Sequence, residues 1–245
     1  MPRYRLLIEY HGGPYQGWQK LPGVPTVQAA LEAAAAKLDG APVDVFGAGR
    51  TDSGVHATGQ VAHMDLQTDR GRKVADAMNF HLRPHPIAVL KAEEVDEDFH
   101  ARFSATQRHY RYIVVNRRAD LTVDRGLAWR VPSKLSAGKM HEAAQALIGT
   151  HDFSTFRDSD CQAATPVKTL NEFNVWREGE RIYFTCRAQS FIHRQVRSMV
   201  GSLVDIGRGK QPVGWMQEIL AAADRTACGP IAPADGLYLT KVDYE

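Results

Sequence analysis

Residues Gly47–Gln60 read GAGRTDSGVHATGQ and connect two segments that alternate like β-strands, Asp44–Phe46 and Gln60–Leu66. The connection holds four glycines and almost no large apolar side chain. A loop of about a dozen residues inside a compact domain is usually either functional or disordered. This one lacks the low-complexity composition of a disordered tether. It is therefore a candidate functional loop, and the elements around it predict the fold.

The residues on both sides of this loop predict the order β-α-β-β-α-β for the first part of the chain. The predicted elements are a strand at Arg3–Tyr10, a helix from the N-cap Thr26 to Leu38, the two strands named above, a helix at Lys73–Leu82 and a strand at Ile87–Val95. The helices are recognised from apolar residues at four-residue spacing. Gly40 ends the first helix and the proline-containing segment 83–86 ends the second.

The second part of the chain repeats this order without repeating the sequence. Its predicted elements are a strand at His109–Asn116, a helix at Ser136–Ile148, strands at Leu170–Glu178 and Arg181–Ala188, helices at Phe191–Ile206 and Pro212–Ala223, and a strand at Gly236–Tyr244. The repeated order is typical of ferredoxin-like units. In this part, the link between the two middle strands is a tight turn at Gly179. The corresponding link in the first part, Gly47–Gln60, is therefore much longer than the connection requires.

The fold predicted from this order is α+β, with two ferredoxin-like β-α-β-β-α-β halves. The halves are residues 1–105 and 106–245, and the boundary falls near residues 100–107. Since no low-complexity linker separates them, we expect the halves to share a core or a sheet.

Composition limits the class of protein. The 245 residues include 44% apolar and 24% charged residues, as is ordinary for a globular protein, and no apolar run reaches the length of a membrane span. The N-terminal residues MPRYRLLIEY lack the apolar core of a signal peptide. Three widely spaced cysteines make neither a disulfide framework nor a CxxC metal site. We therefore expect a protein of the reducing cytoplasm.

The distribution of charge is more informative than the net charge of +2. The stretch 101–119 contains five arginines and no acidic residue. A local concentration of cations in a near-neutral chain is compatible with a surface that binds a polyanion such as RNA. A solvated strand face with scattered arginines would give the same pattern, so charge alone leaves the partner open.

Asp52 is the candidate reactive residue of the loop, and the local pattern allows three interpretations. Asp-Ser-Gly is common turn chemistry, in which the carboxylate caps the turn. Asp52, His56 and His63 could serve metal-assisted hydrolysis, although the further carboxylates of a two-metal site are missing nearby. A lone carboxylate can also act as a nucleophile if a nearby cation keeps it ionised when buried. The local pattern does not choose between the turn and the nucleophile.

The loop resembles the signature of the tRNA pseudouridine synthase A family through Gly47–Asp52, Gly54–Ala57 and Gly59–Gln60. Further blocks resemble that family in the family's order and span essentially the whole chain. They are Tyr10–Gly12 with Gly17–Gln19, Phe99–Ala105, Tyr110–Tyr112, Asp152–Phe153 with Phe156–Arg157, Phe191 with His193 and Val196–Arg197, and Gly236–Leu239. Each block alone is a weak match, but all of them occur in the family's order. The chain as a whole therefore resembles this family.

The resemblance implies the pseudouridine synthase fold, in which the two halves are joined through a mostly antiparallel sheet and the catalytic cleft lies between them. It also implies an isomerase that converts uridine to pseudouridine at positions 38, 39 and 40 in the anticodon stem-loop of tRNA. It implies that the reaction uses no cofactor and no metal. The implied partners are the anticodon arm of tRNA and a second copy of the chain in a homodimer. The implied location is the cytoplasm, away from the membrane.

Five residues carry the roles that the resemblance implies. Asp52 matches the nucleophile, which would attack ribose C1′ or uracil C6 or assist formation of a glycal. Arg197 matches the basic residue that forms an ion pair with this aspartate. Tyr110 matches a tyrosine that stacks on the uracil, Arg50 an arginine that helps to extrude the target nucleotide, and Leu237 a residue that lines the base pocket.

The residues themselves give some support to two of these roles. Tyr110 and Tyr112 alternate with Arg111 on a predicted strand, and aromatic rings among arginines suit stacking on nucleic acid. Arg194 and Arg197 lie near the start of a predicted helix, where cations oppose the helix macrodipole at a cost of about 0.3–1 kcal/mol each. An anion close by, either Asp52 or a phosphate, would offset this cost.

Other arginines are candidates for contacts to the RNA backbone. They are Arg102, Arg108, Arg111, Arg157 and Arg187. Such contacts would position tRNA without reading its sequence. His56 and His63 are expected to be structural rather than catalytic.

Three positions depart from the family pattern. His11 stands where aspartate is frequent, Ser53 where alanine is frequent and Gln195 where methionine is common. None is the expected nucleophile or its cation, so the departures bear on substrate preference rather than on reaction class. Two other classes remain as alternatives, namely an RNA-binding module without catalysis and a metal-dependent hydrolase or nuclease.

Overall fold

The computed structural model describes residues 1–67 and 71–244, which form two compact units. The first unit contains the residues up to Thr106 and those from Tyr238 onward, and the second is Gln107–Leu237. The division into domains 1–105 and 106–245 stays a prediction, because compactness does not show which part of the chain folds alone.

The first unit has the strand order of a ferredoxin-like half. Its strands are β1 (Arg3–Tyr10), β2 (Phe46–Gly47), β3 (His56–Asp65) and β4 (Ile87–Val95). β1 pairs antiparallel with β3 and β4, and β2 pairs antiparallel with β3, which gives the order β4-β1-β3-β2. In the C-terminal strand, Tyr238 and Leu239 pair in parallel with the start of β3.

The helices of the first unit begin and end where local signals place them. They are α1 (Val27–Asp39) and α2 (Val74–Leu82), which contact each other. Thr26 caps α1, since its hydroxyl oxygen accepts a hydrogen bond from the N–H of Ala29 (3.3 Å). Gly40 ends the helix with a φ of 81°, a left-handed conformation that glycine adopts without strain. Both predicted helices are confirmed.

The second unit has a sheet of four antiparallel strands and one short strand that pairs in parallel. Its strands are β5 (Gln107–Val115), β6 (Trp129–Arg130), β7 (Gly149–Asp152), β8 (Val167–Glu178) and β9 (Arg181–Ala188). The order is β5-β9-β8-β7, and β6 pairs in parallel with β5. Its helices are α3 (Ala137–Ala144), α4 (Gln195–Gly207) and α5 (Trp215–Ala222). The buried faces of β8 and β9 carry Phe173, Val175, Ile182 and Phe184.

Several boundaries differ from the predictions, and two short strands were missed. β3 begins at His56 instead of Gln60, so the last part of the quoted loop is strand. α4 begins at Gln195 instead of Phe191, because Arg194 adopts a φ of 59° and cannot continue a right-handed helix. The short strands β6 and β7 were not predicted, since two to four residues are too few to show an alternating pattern.

The predicted α+β class with mostly antiparallel strands is confirmed. Across residues 1–67 and 71–244, no helix is both long enough and apolar enough to cross a membrane.

His63 is a buried histidine of the first unit that is held in the neutral state. Only 2% of the residue is exposed, and its Nδ1 accepts a hydrogen bond from the N–H of Ala101 (3.2 Å). Its ring stacks on Phe46 with the centroids 5.1 Å apart. Burial, together with the charges of His100 and Arg3, lowers the pKa of His63 from 6.5 to about 4.

The free energy of unfolding should therefore fall as the pH is lowered from 6.5 to about 4. In that range the unfolded chain binds a proton at His63 and the folded chain does not, so protonation favours unfolding. His63→Gln should flatten this part of the profile, because an amide oxygen can accept the bond from Ala101 and does not titrate. Urea unfolding from pH 8 to 4 measures the effect. A variant profile as steep as that of the wild type would contradict this assignment.

Candidate active site

Asp52 lies on a loop that is bonded through its backbone to the glycine-rich segment after β1. The N–H of Trp18 donates to the carbonyl of Thr51 (3.0 Å), and the N–H of Gly54 donates to the carbonyl of Tyr15 (3.3 Å). One bond lies on each side of Asp52. The loop is therefore a fixed part of the first unit.

Two glycines allow this close approach of backbone to backbone. A Cβ atom on Gly12 would lie 2.0 Å from the carbonyl oxygen of Val55, which no side chain tolerates. Gly17 has a φ of 93°, and a Cβ atom there would lie 2.7 Å from the carbonyl oxygen of Thr51. The blocks around Tyr10 and around Asp52, which are separate in sequence, thus form one structural element.

Buried polar groups add a second set of anchors. The hydroxyl of Tyr10 lies 2.8 Å from that of Thr51, and the side-chain amide of Gln60 donates to the carbonyl of Gly49 (2.8 Å). Burial raises the pKa of Tyr10 to about 12, although the hydrogen bonds from Thr51 and Gln60 oppose the rise. Tyr10 therefore stays a neutral phenol, and it ties β1 to the residue before Asp52.

Asp52 itself is half-buried and starts a tight turn. Its carbonyl accepts from the N–H of Val55 (3.1 Å), and Gly54 has a φ of 79°, as the third residue of a type II turn requires. The exposed Ser53 donates its hydroxyl to the carbonyl of Tyr15 (3.3 Å). The turn expected from Asp-Ser-Gly is present. The turn is formed by the backbone of Asp52 and does not use its carboxylate in this bond. A role of Asp52 in the turn is therefore compatible with a role of its carboxylate in a reaction.

Arg50 is exposed two residues before Asp52 on the same loop. The bond from Gln60 to the carbonyl of Gly49 fixes the backbone next to it. Its side chain can therefore move in solvent while its Cα atom stays in place, as a residue that contacts a large ligand requires.

The two histidines near Asp52 have structural surroundings. The Nδ1 atom of His56 accepts from the N–H of Gly12 (3.0 Å), and the ring stacks on Tyr238 with the centroids 4.7 Å apart. The Nδ1 atom of His63 accepts from Ala101, as described above. Within residues 1–67 and 71–244, no group of three histidine, cysteine or acidic side chains could hold a metal ion.

Tyr110 lies on β5 in the second unit and is half-buried. Its ring meets Phe191 edge-on, with the centroids 5.2 Å apart. Tyr112, on the same face of the strand, is fully buried and donates its hydroxyl to the carbonyl of Pro233 (2.7 Å). Tyr112 is thus a core residue, whereas Tyr110 is supported on one side and partly accessible.

Arg197 lies in the first turn of α4 and is fixed by two bonds to one residue. Its Nε atom donates to the carbonyl of Ala232 (2.8 Å), and the N–H of Ala232 donates to its carbonyl (3.1 Å). Burial raises the pKa of Tyr112 well above the usual value, and the charge of Arg197 opposes that rise. Arg197 therefore lies close to the strand that carries Tyr110.

Leu237 is 5% exposed at the start of the C-terminal strand. A Cβ atom on the preceding Gly236 would lie 2.6 Å from the ring of Tyr112. The backbone before Leu237 is therefore pressed against the core of the second unit. This position suits a core leucine as well as a residue that lines a pocket.

Asp158 is a buried charge that the sequence did not single out. Its side chain is 7% exposed and lies 2.9 Å from Nη1 of Arg194 and 3.4 Å from Nδ1 of His193. Burial alone would raise the pKa of Asp158, but the N–H of Asp160 and the charges of Arg194 and His193 lower it below the usual value. The anion expected near Arg194 and Arg197 was Asp52 or a phosphate, whereas the anion beside Arg194 is Asp158.

Two of the arginines expected to contact RNA are used within the chain. Arg108 donates to the carbonyl of Gln189 (2.7 Å), and Arg157 donates to the carbonyls of Cys161 (3.0 Å) and Ala163 (2.8 Å). Such bonds hold loops in place. Of the others, Arg187 forms an ion pair in which its Nε lies 3.6 Å from Oε2 of Glu172. Arg111 is half-buried and Arg102 is exposed.

The candidate residues therefore fall into two groups. Arg50 and Asp52 share one loop of the first unit. Tyr110, Arg197 and Leu237 belong to the second unit, where Arg197 and the residue before Leu237 both lie near Tyr112.

Comparisons with known proteins cover most of the chain. A family model described as tRNA pseudouridine synthase matches residues 7–104 and 143–245. Three similar relatives are named tRNA pseudouridine synthase A. They are from Hyphomonas neptunium (75% identical; 100% of this chain and 99% of the relative), Maricaulis maris (62%; 100% and 98%) and Rhodopseudomonas palustris strain HaA2 (58%; 100% and 100%). Tyr110 lies outside the ranges of the family model but inside the alignments with these relatives.

Gly17→Ala should destabilise the loop that carries Asp52, by about 2 kcal/mol or more in the free energy of unfolding. A left-handed conformation strains any other L-residue, and the new methyl group would meet the carbonyl of Thr51. Gly49→Ala is the matched control, because no atom lies within 4 Å of the position of its Cβ. It should change stability by less than about 0.5 kcal/mol. Equal losses in urea unfolding would show that the packing at Gly17 is not the cause.

Proposed function

The chain belongs to the tRNA pseudouridine synthase A family, and on that basis we propose that it isomerises uridine to pseudouridine at positions 38, 39 and 40 of the anticodon stem-loop of tRNA. Membership makes the chain an isomerase that acts on uridine in tRNA. The observation that carries the proposal is the family match over residues 7–104. This range includes Asp52, which lies on a loop fixed by backbone hydrogen bonds.

Asp52 is proposed as the nucleophile. In the route through ribose, a carboxylate oxygen bonds to C1′ as the C1′–N1 bond breaks, and uracil leaves with the bonding electrons. After the base rotates, C5 bonds to C1′ and releases the carboxylate, while C5 loses a proton and N1 gains one. Addition to uracil C6 and formation of a glycal lead to the same exchange of bonds. In each route atoms and electrons balance within the substrate, so no cofactor or metal is required.

The other four residues are proposed to assist Asp52. The guanidinium of Arg197 is proposed to form an ion pair that keeps the carboxylate of Asp52 ionised. Tyr110 is proposed to stack on the uracil. Its ring is supported by Phe191 and is only half-buried, so part of it is accessible to a base. Arg50 is proposed to fill the space left by the extruded nucleotide, since extrusion costs a few kcal/mol. Leu237 is proposed to line the base pocket.

The assembly and location are also proposals. We propose that the enzyme works as a homodimer, which would let one tRNA contact two copies of the chain. A cytoplasmic location is proposed, because tRNA is modified there and the relatives carry the same enzyme name over their full length.

An assay of tritium release tests the reaction and its positions together. Transcripts of tRNA that carry C5-tritiated uridine only at position 38, 39 or 40 are incubated with the enzyme in excess chelator. The C5 proton is lost when C5 becomes the point of attachment, so each transcript should release tritium. A transcript with tritiated uridine only outside the anticodon arm is the control and should release none.

The same assay distinguishes the alternative classes. Binding of every transcript without release would favour an RNA-binding module. Strand cleavage that appears only when a divalent metal is restored would favour a nuclease. Release from the control transcript alone would keep the isomerase and contradict the positions.

Asp52→Asn should abolish tritium release, with a loss of at least about a thousandfold, because an amide oxygen cannot act as the nucleophile. Affinity for tRNA should change little, since most RNA contacts are made elsewhere. Ser53→Ala is the matched control in the same turn, and it removes a hydroxyl that donates to Tyr15 and Gln16. It should stay within about tenfold of the wild type. Activity that survives in Asp52→Asn would make the nucleophile assignment wrong.

A further inference from the structure

We propose that Asp158 is a positioning residue that holds the start of helix α4 and thereby sets the place of Arg197. This inference rests on the proposed function, in which Arg197 assists catalysis. Asp158 would touch neither substrate nor reacting atoms. It would act through Arg194, whose backbone conformation determines where the helix begins.

The first observation is the conformation of Arg194. It has a φ of 59°, in the left-handed region that strains residues with a Cβ atom. Ala223, which has a φ of 48°, lies at the C-terminal end of α5, where left-handed residues commonly end helices. Arg194 lies at the N-terminal end of α4, where the usual N-cap is extended. Strain at an unusual position persists only when the surrounding structure enforces it.

The second observation is the set of contacts that enforces this conformation. The Oδ2 atom of Asp158 accepts from Nη1 of Arg194 (2.9 Å), while Oδ1 accepts from the N–H of Asp160 (3.2 Å). The N–H of Asp158 donates to the carbonyl of His193 (3.3 Å). Both the backbone and the carboxylate of Asp158 thus hold the residues just before α4. The carboxylate of Asp158 is 7% exposed and the side chain of Arg194 is 39% exposed, so solvent screens this ion pair less than a pair of two fully exposed side chains.

The third observation is the short path from Arg194 to Arg197. The carbonyl of Arg194 accepts the first hydrogen bond of the helix, from the N–H of Ser198 (2.9 Å). Arg197 lies in that first turn and is held at its other side by Ala232. A shift at Arg194 would therefore move the turn that carries Arg197 while leaving the C-terminal part of α4 in place.

Two variants of Arg194 separate backbone strain from loss of charge. Arg194→Gly and Arg194→Ala both remove the guanidinium, but glycine adopts a φ of 59° without strain and alanine does not. Arg194→Ala should therefore turn over tRNA more slowly than Arg194→Gly, by about fivefold or more in kcat. Hydrogen exchange at the amide of Ser198 should be faster in the alanine variant. Equal kcat and equal exchange in the two variants would overturn the proposal.

Asp158→Asn tests the carboxylate, with Asp205→Asn as its matched control. Asp205 pairs with Arg208 (3.2 Å) and Lys210 (3.5 Å) at the other end of the same helix. Asp158→Asn should lower kcat and speed exchange at Ser198, whereas Asp205→Asn should leave both near the wild-type values. The double variant Asp158→Asn/Arg194→Gly should have a higher kcat than Asp158→Asn alone. Glycine adopts the left-handed conformation without strain, so it does not need the carboxylate to hold it there.

The outcomes are separable from those of the proposed function. If the wild-type enzyme releases no tritium from any transcript, the isomerase assignment fails, and exchange at Ser198 still decides whether Asp158 holds the helix start. If Asp158→Asn does not fold, the comparison of the two Arg194 variants decides. An Asp158→Asn protein that behaves like Asp205→Asn in exchange and in kcat would overturn the proposal.

Discussion

The loop that carries Asp52 depends on one constraint, which is the direct contact of two backbone segments without a side chain between them. The carbonyl of Val55 lies where a Cβ atom of Gly12 would stand, and the carbonyl of Thr51 lies against Gly17. Hydrogen bonds between the same segments bracket Asp52. Because one segment continues β1 and the other leads into β3, the place of Asp52 is set by the sheet of the first unit. A loop rich in glycine is in this case rigid, since its glycines serve close packing rather than freedom of movement.

The proposed cation has an equally rigid support in the second unit. Arg197 is held through both its side chain and its carbonyl by Ala232, and the turn that carries it starts at a strained residue fixed by Asp158. Groups that act on a transition state are most effective when their orientation is set before the substrate binds. The strain at Arg194 has a physical function in this view, because it starts α4 at a defined residue instead of letting the helix extend toward Phe191.

The sequence predicted those parts of the fold that have local causes. The caps Thr26 and Gly40, the alternation in β1 and the hairpin at Gly179 are properties of neighbouring residues, and their elements appear as predicted. The start of β3 at His56 could not be predicted, because the segment HATGQ contains no large apolar residue and is held as a strand by pairing with β1 and the C-terminal strand. The start of α4 depends on Asp158, which is distant in sequence. The five candidate site residues came from motif order, while Asp158 needed the structure.

The contrast between three tyrosines, one in the first unit and two in the second, shows why burial matters for the proposed chemistry. Tyr10 and Tyr112 are buried, and burial raises the pKa of each phenol, so both remain neutral at ordinary pH. Neither can therefore become a phenolate that would compete with a carboxylate for a nearby guanidinium. Tyr110, by contrast, is half-buried, so its ring has support from Phe191 and still has an accessible part. Burial thus keeps Tyr10, beside Thr51, and Tyr112, near Arg197, uncharged, and the third tyrosine has the exposure that stacking on a base requires.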